Sequence, residues 1–97
     1  MQEQIEFHNL IEAREKLSKV SKSTSLINAP GTIRSLGPIA IDYIFKTLKS
    51  EFHIEAETFR VDDDIAGLYY ALSKGYKNII YTGPSKQAKD LLRDTQT

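Results

Sequence analysis

The chain has no cysteine. Disulfides, thiol catalysis and thiolate metal sites are therefore excluded from the start. It also lacks net charge: 13 basic side chains balance 13 acidic ones. The two signs alternate, so no basic block offers the footprint that nucleic-acid binding requires, and no nucleic-acid partner is expected. No apolar run approaches the ~20 residues needed to span a bilayer, so no membrane partner is expected. The chain opens Met1-Gln2-Glu3-Gln4. That is not the basic and then apolar pattern of a secretory leader, and the expected location is the cytoplasm. With 97 residues the expectation is one small domain with little stability to spare.

What is present is a rhythm. Three times a short apolar run stops at a cluster of turn formers, and a helical pattern follows. The joints are Ala29-Pro30-Gly31-Thr32, Asp62-Asp63-Asp64 and Thr82-Gly83-Pro84-Ser85. Gln4-Ile5-Glu6-Phe7 alternates like an edge strand, although one continuous helix from Gln2 is the alternative. Asn9 and Glu12 have capping-box spacing, and Leu10, Ala13, Leu17 and Val20 then mark a helical face. Thr24 to Asn28 reads as a strand ending before Pro30. Pro38 suits the first position of a helix whose face is Ile41, Ile44, Phe45, Leu48 and Phe52, widened by Ile39, Ala40 and Tyr43. Thr58 to Val61 is a third strand, beginning near Ala56. Ile65, Leu68, Ala71 and Leu72 give the next helix, which Gly75 closes. Asn78 to Tyr81 suits a strand buried on both faces. A last helix runs from Ser85 through Ala88, Leu91 and Leu92, and its tail from Asp94 should fray.

Helix-length segments between strands imply crossovers, and so a mostly parallel four-stranded α/β sheet in the order βαβαβαβα. The expected strand order is flavodoxin-like or Rossmann-like, 2-1-3-4. An arrangement resembling the anti-sigma-factor antagonist fold is the alternative. Helices would flank the sheet in three layers or two.

Loops after the carboxyl ends of parallel strands share one edge, where ligands usually sit. Asp62-Asp63-Asp64 offers oxygen ligands for a hard cation. The simpler reading, which we favour, is that one of these acids caps the helix at Ile65 and the others suit its positive end. No metal is expected. An analogy to phosphoryl-accepting receiver domains, through these acids with Thr82 and Lys86, fails because the acids lie on the wrong strand. The loop Pro30 to Gly37 holds two glycines, two hydroxyls and Arg34 ahead of a helix. It matches neither nucleotide-binding glycine fingerprint, so no cofactor is expected. Its simpler role is to turn the chain, with Ser35 as a cap. The expected ligand is a small anion, held by Gly31, Thr32, Arg34, Ser35, Thr82, Gly83 and Ser85. His8 and His53 read as surface or joint residues. Tyr69 and Tyr70 are adjacent on a helix, so only one can face the core and the other marks a partner surface.

Asn28-Ala29-Pro30-Gly31, Leu36-Gly37-Pro38 and Asp63-Asp64-x-x-Gly67-x-x-x-Ala71-Leu72-x-x-Gly75 together resemble a set of small uncharacterised bacterial α/β proteins. The resemblance spans Leu10 to Gly83. It implies the fold and transfers no catalytic residue. Gly67 in mid-helix implies close approach by a neighbouring element or by a ligand. Three functions compete: a non-catalytic binding or regulatory module at the loop edge, an anion-binding protein or enzyme using Arg34, Lys86 and the three acids, and a structural subunit of a homodimer or other complex. We expect binding rather than catalysis.

Overall fold

The computed structural model describes residues 3–20 and 23–96, with side chains as far as Asp94. Four strands alternate with helices: β1 (Glu3–Phe7), α1 (Leu10–Leu17), β2 (Thr24–Asn28), α2 (Thr32–Ser35), α3 (Pro38–Glu51), β3 (Ile54–Asp62), α4 (Ile65–Ser73), β4 (Asn78–Tyr81) and α5 (Lys86–Gln96). Gln2, Ser21, Lys22 and Thr97, on which parts of the sequence reading fell, lie outside the described residues. Residues 94–96 continue α5.

All three strand pairings are parallel, and the order is β1-β2-β3-β4. This corrects the expected 2-1-3-4. Each crossover steps one strand in the same direction. Crossovers of one hand then place every helix on one face. One core unites Ile5, Phe7, Leu26, Phe59, Val61 and Ile79 with Ala13, Ile33, Ile41, Leu68 and Ala88, which between them represent all five helices. The fold is a two-layer sandwich, and its shortest extent is 18 Å.

The bare face explains the order. Across it run Glu6, Ile27, Thr58 and Asn78 in one row, with Arg60 beside Ile80. Apart from Ile27 and Ile80 these side chains are polar, so a second helical layer would bury unpaired polar groups. Arg60 instead crosses β2 to reach Glu6 at 2.9 Å, over the row that holds Ile27, which is 3% exposed. Ile80 is half-buried on this face, so β4 is not covered on both sides as its apolar run suggested.

Local chemistry starts most elements where expected. Asn9 accepts from the Glu12 amide at 2.8 Å. The Glu12 carboxylate reaches back to the His8 amide rather than to Asn9. Asp64 caps α4 through the Gly67 amide. Ser85 caps α5, accepting from Ala88, so that helix starts at Lys86, one residue after the expected Ser85. Gly37, at φ +87°, precedes Pro38 without a side-chain cap, and Ser35 ends the one-turn α2 instead of capping α3. Ile39 and Tyr43, expected to widen the buried face of α3, are 72% and 63% exposed. A Cβ on Gly67 would lie 2.9 Å from the Ile33 side chain. The close approach implied by that glycine is therefore α2 against α4.

Candidate functional site

Two edges of the sheet carry chemistry. At the carboxyl-end rim, Asn28 is fully buried. Its amide nitrogen donates to Thr32 Oγ1 and to the Arg60 carbonyl, both at 2.8 Å, and its oxygen accepts from the Arg60 amide at 2.7 Å. One side chain thus ties β2 to β3 and to the start of α2. A register shift between Arg60 and Asp62 bends the end of β3. Asp62 there adopts φ +52°, a left-handed conformation that short acidic side chains tolerate better than most. Its carboxylate accepts from the Gly31 amide at 2.9 Å, and its carbonyl accepts from the Thr82 amide at 2.7 Å. Asp63 meets Arg34 at 2.6 Å.

The three aspartates therefore serve three partners: the Gly31 amide, Arg34 and the α4 terminus. Among the described residues no group of three or more His, Cys, Asp or Glu side chains is placed to hold a metal ion. Of the expected anion-site residues, Gly31, Thr32 and Arg34 gather around β2 and β3, and Thr82 joins them through Asp62. Thr32 is buried and its hydroxyl donates to the Ala29 carbonyl at 2.7 Å. Ser35 is exposed at the end of α2. Gly83 is buried against the Tyr81 ring, and that hydroxyl accepts from the Ser85 amide at 3.2 Å. Lys86 is exposed at the start of α5 and is not joined to Arg34.

At the opposite edge lies a cavity of about 430 Å³, between the second half of α3, the starts of β3 and β4, and the α4–β4 turn. Lys46, Lys49, Lys74 and Lys77 line it, with Asp42 and Tyr76 in its wall. Asp42 is only 6% exposed. It accepts from the Tyr76 hydroxyl at 2.6 Å and pairs with Lys46 at 3.0 Å. Burial, and then the bond to Asp42, push the Tyr76 phenol well above its ordinary range. The Tyr76 ring packs on Phe45 and Phe59 at 5.6 and 4.8 Å. Lys49 pairs with Glu57 at 3.1 Å, and Lys74 lies 5.5 Å from the Tyr70 ring centroid. Sequence reasoning missed this edge. The available signal was Asp42 itself, an acid set beside Ile41, Ile44 and Phe45 on an apolar helix face.

The histidines form exposed pairs, His8 with Glu12 at 3.1 Å and His53 with Glu55 at 2.9 Å. Hydrogen bonds from His8 and Lys16 hold the Glu12 carboxyl below its usual range, and His53 does the same for Glu55. No helix among the described residues is long and apolar enough to cross a membrane.

These features define a two-layer parallel α/β domain with a bonded loop rim and a lysine-lined cavity at the opposite edge. No family model matches the chain. No solved structure matches it. It is 44% identical over 88 residues to "Uncharacterized protein RP547" of Rickettsia prowazekii (strain Madrid E), a match covering 89% of this chain and 83% of that protein. The chain belongs to the same family as that protein.

Proposed function

We propose that this chain is a non-catalytic binding module of the bacterial cytoplasm, and that it works through the rim half of its helix layer. The observation that carries this reading is the placement of its exposed apolar side chains. Among the described residues, Ile11, Ile39, Tyr43, Ile65, Tyr69 and Leu91 are the large hydrophobic residues left exposed. Every one lies in the first two turns of its helix. The helices run back from the strand carboxyl ends, so these six side chains share the half of the layer nearest the loop rim. The far half of α3 carries Lys46, Lys49, Ser50 and Glu51 instead. Scattered exposed hydrophobics need no explanation, but a one-sided set marks an interaction surface.

The occupant we propose is a second copy of the chain. Zero net charge leaves no long-range repulsion between copies, and a two-fold interface needs only one self-complementary patch. The six side chains leave on the order of 600 Å² of apolar surface, a large share of the ~800 Å² per partner that a stable interface buries. The rim's own donors fit a small anion less well. The Gly31 amide and Arg34 are engaged by Asp62 and Asp63, and an anion would have to displace both carboxylates.

Sedimentation equilibrium across the micromolar range tests the proposal. A reversible dimer is expected, and Ile39→Asp with Tyr43→Glu should return it to monomer with an unchanged circular dichroism spectrum. A parent protein that stays monomeric throughout that range would overturn it.

A further inference from the structure

The lysine-lined cavity takes no part in the proposed interface. We propose that it binds a small multivalent oxyanion, one bearing phosphate or several carboxylates. Its volume of about 430 Å³ lies within the range of small-molecule sites. The argument for an anion is a balance of charge. The acids at this edge already have partners. Asp42 accepts through both oxygens, from Tyr76 and Lys46. Glu57 accepts from Lys49 and Glu55 from His53. An ammonium carries three donors, so Lys46 and Lys49 can each meet a further acceptor while keeping these pairs. Four lysines line the cavity against Asp42, Glu55 and Glu57, so its own acids leave a positive charge unbalanced, and a ligand that complements it must bring negative charge.

The lysines are also held in position. The buried Asp42 anchors Lys46, Glu57 anchors Lys49, and the Tyr70 ring sits under Lys74. Placing the cationic heads before binding lowers the ordering cost a ligand must meet. One effect opposes an anion: α3 and α4 end at this edge, and helix carboxyl ends carry partial negative charge. A single-charge anion touching one lysine would gain little against it. An anion of two or more charges can engage lysines from α3 and from the α4–β4 turn together, and so the valence of the ligand follows from the site.

The test is a ¹⁵N NMR titration of the intact chain with inorganic pyrophosphate and, separately, with citrate, at ionic strength matched by sodium chloride. Saturable shifts are expected at the amides of Ala56, Gly75, Lys77 and Asn78. Saturation by pyrophosphate alone assigns the site to phosphates, by citrate alone to polycarboxylates, and by both to charge without further selection. Each of these supports the proposal. Lys74→Gln combined with Lys77→Gln changes two exposed side chains, and it should weaken binding by about tenfold or more through lost charge-assisted contacts. No saturable shift, a response that sodium chloride reproduces, shifts confined to residues 31–35 and 82–85, or an unchanged affinity in the double variant would each overturn it.

Discussion

The two edges of this sheet are stabilised by different means. At the carboxyl rim the work falls to a buried neutral amide and to backbone groups, one of which meets the Asp62 carboxylate. Asn28 joins β2 to β3, and Asp62 joins Gly31 and Thr82. At the amino-terminal edge it falls to charged side chains, most of them solvated, around a cavity. Buried neutral bonds lose much when one partner is removed, because the other is left without water. Solvated ion pairs lose little. The rim should therefore be the stiff edge, and the cavity edge the one whose charges are available to a ligand.

Four substitutions sharpen or break that contrast. Leu48→Ala supplies the scale. Leu48 is fully buried in the shared core, and truncation should cost ~2–5 kcal/mol in urea unfolding. A loss under half of the lower figure would mean that α3 does not hold the core. Asn28→Ala comes next. It strands the Arg60 amide and carbonyl, and should cost ~2–3 kcal/mol. If it costs no more than an exposed ion pair, the stiff-rim account fails.

Tyr76→Phe removes the bond to Asp42 and should cost ~1–2 kcal/mol. It carries a pH signature as well. The folded pKa of Tyr76 is raised above the unfolded value of 10.0, so the folded state keeps its proton when the unfolded chain has lost it. Stability from this group is fully present below pH 10 and declines as pH rises beyond it. Melting curves of the parent should therefore steepen in their alkaline decline relative to Tyr76→Phe, and parallel curves would remove the phenol from the account. Arg34→Ala should be the mildest. Its pair with Asp63 is 71% and 50% exposed, and the loss should stay under ~1 kcal/mol. A larger loss would show that the rim also depends on solvated charge.

Much of the fold was legible because its signals are local. Asn9, Asp64, Gly75 and Pro38 mark helix ends by chemistry that acts within a few residues. Gly67 was legible as a close approach, though not as an approach by Ile33. Tyr69 and Tyr70 divide as adjacent helical residues must, with Tyr69 half exposed and Tyr70 packed on the core. Ile39 and Tyr43 misled. Their spacing fits an apolar face, but the core beneath α3 was filled by Ile41, Ile44, Phe45 and Leu48. The rim donors were legible as a cluster in sequence. That Asp62 and Asp63 would engage them was not, since the partners lie 31 and 29 residues away.

The sequence by itself determined the alternation of strands and helices, the parallel sheet and the joints between elements, because hydrophobic period and turn chemistry are properties of short stretches. It also contained the reason for one bare sheet face, in the polar alternation of β1 and β3. Only the tertiary structure decided that the strands follow in chain order and that Asn28 and Asp42 become buried polar anchors. The same holds for the cavity, which opens at the edge opposite the loops. These depend on which distant groups meet, and the free energy of such meetings is set by burial and partner geometry rather than by any local pattern.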